Sequence, residues 1–492
     1  MDATLLQRIG QWQDALVSEK RLPMAMSLIS YNGKTQYFHA SGYANVETKE
    51  PVNKDHIFRL HSMTKPIVAV GLCMLYEEAM FQIDDPVYYF LGPLWKKENM
   101  KVFSNWIDRK ACTYETVPCK HDITMRHILT HTAGLSHGFD PSGKGIQVDR
   151  IYAKKWRKPK HPYKMSEKER AALLKNDPSL LKSYVDGLAS MPLLYQPGEQ
   201  WNYSHAPDVQ ARLIEVLSGL PVDQYLQQNV FDRVGMVDTS FDVPLSKVNR
   251  FTKQYTYTSP IVNEKNKNNI NEWNRNNALT FPHVGSYRVL DNNSYDKQYL
   301  NTNRPKLLSG AGGLVGTIHD YAAFCNMLLA GGFAEKTGER ILGVKTIEFM
   351  TSNHLPNNKG LLDMIIDPKV QYSETAANGG GFGLGFSVVQ SPVVAGLIGS
   401  PGNFAWGGAA STIFWCDPIE NISVVFFTQV LGMRPLNQLR AKLGSMVYAS
   451  ITDRRLGAAV APATSHVLQL GLEKIMNSSG GCSNSSSNNS KL

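Results

Sequence analysis

The order of helix and strand patterns along the 492 residues predicts an α+β fold. Strand patterns lie near both ends of the chain, whereas helix patterns dominate the middle. We therefore expect one antiparallel sheet that is built from both chain ends and flanked by helices. A mainly helical subdomain would be inserted between the two halves of this sheet, and a functional site would lie at their junction.

The N-terminal half begins with a helix and a hairpin. Apolar residues from Leu5 to Leu16 recur at helical spacing and predict the helix. Asn32-Gly33-Lys34 then separates two strand patterns, at 26–31 and 35–40, as is typical of a β-hairpin. Helix-compatible segments follow at 66–81, 123–129 and 206–217.

The C-terminal part returns to strands. They are predicted at 382–389, 412–415 and 422–428, and a closing helix is predicted at 436–451. Residues 417–421, Asp-Pro-Ile-Glu-Asn, have turn composition and separate the last two strands.

We assign residues 1–455 to one domain and residues 456–492 to a C-terminal tail. The sheet part of the domain comprises about 1–61 and 305–455, and the helical part about 62–304. Two segments, 144–175 and 263–303, look like surface insertions. The second contains twelve Asn and little apolar periodicity.

The net charge of +9 is concentrated in the first insertion, where eleven Lys or Arg face three Asp or Glu. The rest of the chain is nearly neutral, and no nucleic-acid-binding module is recognisable. We therefore expect no nucleic-acid partner. Docking of the insertion to an anionic partner or a membrane surface is an open alternative.

Several sequence features bear on the location of the protein in the cell. No apolar run approaches the roughly 18 residues that a transmembrane helix needs, so no transmembrane segment is expected. Six cysteines without a Cys-x-x-Cys pair favour a reducing compartment. The chain ends in Ser490-Lys491-Leu492, a peroxisomal address, after a spacer rich in Ser, Asn and Gly. We predict a peroxisomal location with the import receptor as partner; an accidental ending is the alternative.

Ser62 and Lys65 form a Ser-x-x-Lys pattern directly before a long apolar helix. Two other copies, which begin at Ser179 and Ser294, lie outside any clear core element. A serine in a first helical turn lies near free backbone N–H groups, and a lysine three positions later returns to the same face. That amine could take the hydroxyl proton, although a capping serine with a surface lysine would give the same letters.

Two later segments could complete such a site. Tyr203 precedes an apolar helix, and its phenol could relay a proton to a leaving group. Gly407 and Gly408 precede Ala409, and paired glycines let a backbone approach a ligand closely. The N–H groups of Ala409 and Ser62 could then form an oxyanion hole. The alternatives are a core tyrosine and an ordinary glycine bulge.

Taken together, Ser62-x-x-Lys65, Tyr203-Ser204-His205 and Trp406-Gly407-Gly408 resemble the motifs of the serine β-lactamase and penicillin-binding-protein family. The class C-like branch is the most similar, and within it the family VIII carboxylesterases and the lovastatin-type acyltransferase. The resemblance covers about 20–450 and also rests on 123–135, 235–239 and 309–314. It implies that Ser62 is the nucleophile, that Lys65 and Tyr203 are the acid/base pair, and that Trp406 to Ala409 line the acyl group.

Two departures from the family pattern refine the expectation. β-Lactamases usually carry Lys or His where Trp406 stands, and that cation meets the drug carboxylate. Ester chemistry is therefore favoured over strong β-lactam turnover. The third residue of the tyrosine motif is often Asn but is His205 here, which we treat as a substrate contact.

No metal or cofactor is expected. His127 and His131 have the i, i+4 spacing of a metal pair, but Ile128 stands where a zinc protease would need Glu. In the family these residues belong to a structural loop that borders the site.

The leading hypothesis is a serine hydrolase that forms an acyl-Ser62 intermediate from a small-molecule ester or thioester and passes the acyl group to water or an alcohol. Weak β-lactamase or D-peptidase activity is the alternative within the enzymes. A non-catalytic scaffold on the same fold is the alternative of another class.

Overall fold

A computed structural model of the chain describes residues 1–138, 144–155, 168, 175, 177, 179–258, 286–290, 299–300, 307–366, 378–431 and 436–452. Residues 1–452 form one compact unit. The predicted boundary at 455 stays a prediction, and most of both predicted insertions lies outside the described residues. None of the described helices has the length and apolar character needed to span a membrane.

The helices are α1 (Ala3–Ser18), α2 (Thr64–Glu77), α3 (Tyr88–Leu91), α4 (Met125–Leu129), α5 (Gln147–Lys155), α6 (Leu181–Ala189), α7 (Ala206–Ser218), α8 (Val222–Leu226), α9 (Asp232–Val234), α10 (Ile318–Leu329), α11 (Val344–Met350), α12 (Pro392–Ala395) and α13 (Leu436–Ala449).

The strands are β1 (Met24–Tyr31), β2 (Lys34–Asn45), β3 (Glu50–Pro51), β4 (Phe58–Arg59), β5 (Lys101–Asp108), β6 (Thr113–Pro118), β7 (Tyr255–Thr258), β8 (Ser286–Val289), β9 (Val315–Gly316), β10 (Phe333–Ala334), β11 (Glu339–Arg340), β12 (Gly380–Phe382), β13 (Ser387–Val389), β14 (Phe404–Gly408), β15 (Thr412–Asp417), β16 (Ile422–Phe427) and β17 (Val430–Leu431).

The main sheet joins the two parts of the chain as predicted. Its strand order is β12-β13-β14-β15-β16-β1-β2-β3, and neighbouring strands are antiparallel. The N-terminal β1 pairs with the C-terminal β16, with Met26 opposite Phe427. The α+β fold class with an antiparallel sheet from both chain ends is therefore confirmed.

Helices cover both faces of this sheet. Trp12 of α1 packs against Phe426, with ring centroids 6.3 Å apart, whereas Tyr321 of α10 packs against the next residue, Phe427, also at 6.3 Å. Successive side chains of a strand point to opposite faces, so β16 is buried on both sides. This explains why its sequence, Ile-Ser-Val-Val-Phe-Phe, is mostly apolar and does not alternate with polar residues.

One predicted element was wrong. The predicted strand 382–389 is a hairpin of β12 and β13, because Gly385 has a φ of +92° and reverses the chain. The part predicted as mainly helical also contains the antiparallel pair β5 and β6. Exposed polar residues dominate β6, so apolar alternation did not mark that strand.

Candidate active site

Ser62 lies in a short 3-10 turn, His61–Met63, that leads directly into the buried helix α2. Hydrogen bonds with residues that are distant in the sequence stabilise this turn. Thr64 Oγ1 accepts a hydrogen bond from the Leu314 N–H over 3.1 Å, and Tyr321 Oη donates to the Met63 carbonyl over 3.0 Å. Ser62 is half-buried at the start of the helix, as the motif predicts.

The structure brings together the three residues predicted to be catalytic. Lys65 Nζ lies 3.1 Å from Ser62 Oγ, and Tyr203 Oη lies 2.7 Å from the same oxygen. Lys65 also donates to the Ala311 carbonyl over 2.5 Å, and its Nζ lies 4.6 Å from the centre of the Tyr203 ring. Ser62 Oγ therefore has two groups that exchange protons within hydrogen-bonding distance. The catalytic roles themselves stay predictions.

Tyr203 is positioned by the extended segment before α7. The backbone N–H of Trp201 donates a hydrogen bond to the Met364 carbonyl, and the side-chain amide of Asn202 donates to the Leu135 carbonyl over 3.1 Å. The Tyr203 ring is buried against the rings of His131 and Trp406, at centroid distances of 5.1 and 5.6 Å. A packed ring of this kind has few alternative orientations.

The end of β14 lies beside the Ser62 turn. A Cβ on Gly408 would come within 2.4 Å of the Leu60 carbonyl oxygen and 3.4 Å of His61 Cβ, so a larger residue would push the strand away. Ala409 follows and is exposed. Gly408 thus permits the close approach that an oxyanion hole between Ala409 and Ser62 requires, and the oxyanion hole itself stays a prediction.

Trp406 is a buried ring in this strand. It is 2% exposed and contacts Phe382 at 5.5 Å with the rings perpendicular. The position at which the resemblance expects a cation therefore holds an uncharged aromatic side chain.

His205 has surroundings that differ from those of a substrate contact. Its ring is buried, and Nδ1 lies 2.9 Å from Asp208 Oδ2 and 3.1 Å from Tyr184 Oη. Internal partners thus lie within hydrogen-bonding distance of Nδ1, and the role of His205 as a substrate contact stays a prediction.

Two buried histidines near the site, His61 and His131, are uncharged at neutral pH. Burial, with the charges of Arg59 and Lys65, lowers the pKa of His61 to about 3, and burial lowers the pKa of His131 well below its usual value. His131 Nδ1 accepts a hydrogen bond from the Ser204 N–H over 3.2 Å.

His127 is the N3 residue of a capping box with Thr124 at the start of α4. These bonds support the interpretation of 123–135 as a structural loop. Within the ranges that the structure describes, no cluster of three or more His, Cys, Asp or Glu could hold a metal ion.

The other Ser-x-x-Lys patterns have different outcomes. Ser179 is a buried cap that accepts from the Leu181 N–H, and Lys182 pairs with Asp186 on the surface of α6. Neither side chain is placed for catalysis. The pattern at Ser294, like Ser490, Lys491 and Leu492, lies outside the described residues.

Sequence analysis missed His137. Its half-buried ring stacks on Tyr203 at 5.3 Å with an interplanar angle of 17° and lies 4.2 Å from the His205 ring. Its loop is held by Asp149 of α5, which accepts hydrogen bonds from Ser136 Oγ and the Gly138 N–H. The first helix of the basic insertion thus fixes a residue that covers Tyr203. The only sequence signal was the position of His137 just after the motif 123–135.

This fold and this Ser-Lys-Tyr arrangement agree with a comparison of the chain with known families. The Beta-lactamase family model matches residues 9–444. The chain belongs to the Beta-lactamase family.

The chain is also similar to individual proteins. Protein Rv1367c of Mycobacterium tuberculosis is 26% identical over 411 residues, which cover 82% of this chain and 85% of the relative. Esterase EstB of Burkholderia gladioli is 25% identical over 449 residues, which cover 91% and 96%. Simvastatin synthase LovD of Aspergillus terreus matches in structure with a TM-score of 0.67 and 19% identity over 92% and 99%, a likeness that shows the shared fold. The protein is an enzyme of the serine hydrolase type.

Proposed function

We propose that the protein is an esterase or acyltransferase that acts on carboxylic esters or thioesters through an acyl group on Ser62. The observation that carries the proposal is the convergence of Lys65 Nζ and Tyr203 Oη on Ser62 Oγ, at 3.1 and 2.7 Å. A serine hydroxyl is a weak nucleophile until a neighbouring base accepts its proton. The name of one relative, Esterase EstB, supports the same chemistry.

The proposed acylation step uses these groups in order. Ser62 Oγ attacks the carbonyl carbon of the ester or thioester, and its proton passes to the Lys65–Tyr203 pair. The C=O electron pair moves onto oxygen, where the N–H groups of Ser62 and Ala409 stabilise the negative charge. When this oxygen re-forms the carbonyl, the bond to the leaving group breaks. Tyr203 then returns the proton to the departing alkoxide or thiolate.

Deacylation repeats these steps with a new nucleophile. Water or an alcohol loses its proton to the Lys65–Tyr203 pair and attacks the acyl-Ser62 carbonyl. Ser62 leaves and recovers its proton. Water yields a carboxylic acid, and an alcohol yields a new ester, so one site supports both hydrolysis and transfer.

Three single substitutions test this proposal. Ser62→Ala, Lys65→Ala and Tyr203→Phe each remove one participant, and each is expected to lower kcat/KM for p-nitrophenyl butyrate by about a hundredfold or more. Lys182→Ala is the matched control, because Lys182 belongs to another Ser-x-x-Lys pattern and its side chain is 55% exposed. Wild-type rates in the first three variants would contradict the proposal.

The same proteins distinguish the alternatives. Trp406 offers no charge to the carboxylate of a β-lactam, so nitrocefin turnover is expected to be far slower than ester turnover. Nitrocefin turnover faster than ester turnover would favour a β-lactamase or D-peptidase. A folded protein without either activity would favour the scaffold.

We also propose that the protein is imported into peroxisomes through Ser490-Lys491-Leu492. The tripeptide and its polar spacer support this proposal. The test is the location of the full chain, carrying a fluorescent protein at its N-terminus, beside a peroxisomal marker. Deletion of Leu492 is expected to abolish co-localisation, and an unchanged distribution would contradict the import proposal.

A further inference from the structure

Asp208 is a fully buried carboxylate in the first turn of α7. Its Oδ2 lies 2.9 Å from His205 Nδ1. Its Oδ1 accepts hydrogen bonds from Ser309 Oγ over 2.6 Å and from the Ala311 N–H over 3.2 Å. Asp208 thus connects α7 with residues 309–311, which come from a distant part of the chain.

The carboxylate of Asp208 is ionised at neutral pH. Burial alone would raise its pKa, but the hydrogen bonds from His205, Ser309 and Ala311 outweigh burial, and the pKa is lowered from its usual value. The first turn of a helix also favours a negative charge. Loss of a hydrogen-bond donor would leave the buried charge partly unpaired, which strongly destabilises a protein. The donors therefore hold the Asp208 carboxylate in place.

The segment that Asp208 holds reaches the predicted catalytic lysine. The N–H of Ala311 donates to Asp208, and its carbonyl accepts from Lys65 Nζ over 2.5 Å. The segment also packs tightly on α7, because a Cβ on Gly310 would lie 2.2 Å from the Pro207 carbonyl oxygen. The Ala311 N–H also donates to Ser309 Oγ over 3.2 Å, and Ser309 is itself bonded to Asp208. The orientation of Ala311 therefore depends on Asp208, both directly and through Ser309.

We propose that Asp208, with His205 as its partner, is a positioning residue that holds the Ala311 carbonyl against Lys65 and so aims the Lys65 amine at Ser62. This inference rests on the proposed function, because it explains how the Lys65 amine of the same site is held in position. It also gives a role to the departure at His205, whose Nδ1 lies 2.9 Å from Asp208 Oδ2.

A positioning role of Asp208 predicts a different kinetic effect from a purely structural role. Loss of the carboxylate would leave the side chains around Tyr203 in place while the Lys65 amine loses its fixed direction. A small displacement of a reacting group costs about ten- to a hundredfold in rate. The rate of Ser62 acylation should therefore fall while KM stays nearly constant.

The test compares Asp208→Asn with wild type and with Glu215→Gln. Asn has nearly the same shape but lacks the charge. Glu215 is a buried acid on the same helix, with Arg212 and the Val222 N–H as partners, and serves as the matched control. Single-turnover acylation by p-nitrophenyl butyrate, followed by intact mass, and steady-state kcat and KM are measured on each protein.

A second variant keeps the test valid if Asp208→Asn does not fold. Ser309→Ala removes the hydrogen bonds of Ser309 Oγ with Asp208 and with the Ala311 N–H, and it leaves the bond from the Ala311 N–H to Asp208 in place. We expect Asp208→Asn to slow acylation by about ten- to a hundredfold and Ser309→Ala by a smaller factor, with KM changed less than about threefold. Glu215→Gln should acylate at the wild-type rate.

The outcomes separate this inference from the proposed function. If wild type is acylated on Ser62 and the folded variants match its rate, or if KM alone changes, the positioning role is wrong and the proposed function stands. Equal slowing in Glu215→Gln would also overturn the positioning role. If wild type forms no adduct on Ser62, both are wrong.

Discussion

At the scale of single residues, the proposed chemistry depends on side chains that packing holds in one orientation. Tyr203 is surrounded by the rings of His131, His137 and Trp406. Aromatic contacts of this kind stabilise one orientation of a ring. This packing favours the orientation in which the phenol lies 2.7 Å from Ser62 Oγ.

His137 provides the first prediction. His137→Ala removes the ring that stacks on Tyr203, and kcat for p-nitrophenyl butyrate is expected to fall roughly tenfold. His137→Phe keeps an aromatic ring over Tyr203 and should retain most of the activity. Steady-state kinetics on both variants checks the prediction. An equal loss in the two variants would show that the imidazole nitrogens, and not the stacking, matter.

At the scale of elements, the histidine at the start of α4 links stability to pH. Burial lowers the pKa of His127 to about 4 from the model-peptide value of 6.5. In the unfolded chain the imidazole binds a proton below about pH 6.5, whereas in the folded chain it does so only near pH 4. The unfolded state therefore binds more protons between these values, and stability falls as the pH drops from about 6.5 to about 4.

The second prediction uses the capping box that His127 forms with Thr124. Gln is a standard residue at this position, so His127→Gln keeps the box and removes the titrating group. When the pH falls from 8 to 5, the free energy of unfolding should decrease by about 2 kcal/mol less in His127→Gln than in wild type. This figure follows from the difference between the unfolded and folded pKa values of His127. Urea unfolding at both pH values measures this difference, and parallel losses in the two proteins would contradict it.

The third prediction concerns the contact between β14 and the Ser62 turn. Gly408→Ala would place a Cβ within 2.4 Å of the Leu60 carbonyl oxygen and push the strand away from Ser62. The esterase rate is expected to fall about tenfold or more. Gly444→Ala in α13 is the matched control, because its Cβ would meet nothing within 4 Å. Full activity in Gly408→Ala would exclude a role of this close approach in the site.

At the scale of the whole molecule, the site lies where distant parts of the chain meet. Ser62 begins α2, Tyr203 precedes α7, and Ala409 follows β14. The pairing of β1 with β16 joins the two sequence regions that build the sheet. Asp149, in the first helix of the basic insertion, also holds the loop of His137. Activity therefore depends on the complete unit of residues 1–452.

The fourth prediction concerns the C-terminal tail. Deletion of 456–492 should leave the thermal midpoint and the esterase rate unchanged, because the described site residues and core lie before it. The same deletion should abolish peroxisomal import. Thermal unfolding and kinetics of the truncated protein check the first part, and a lost fold would contradict the domain boundary.

Much of this arrangement could be predicted from the sequence, because local patterns determine it. The hairpin at Asn32-Gly33, the apolar helix α2 and the three motifs are visible as residue types at fixed spacings. The roles of Asp208, Ala311 and His137 could not be predicted. Their importance comes from contacts across the fold, such as the 3.2 Å bond between the Ala311 N–H and Asp208, which leave no local pattern.

The most direct test of the central claim is the intact mass of wild type and Ser62→Ala after brief exposure to p-nitrophenyl butyrate. The proposed function predicts one butyryl adduct on wild type and none on Ser62→Ala, with p-nitrophenol released only by wild type. An adduct on both proteins, or no adduct and no release from folded wild type, would contradict the assignment of Ser62 as the nucleophile.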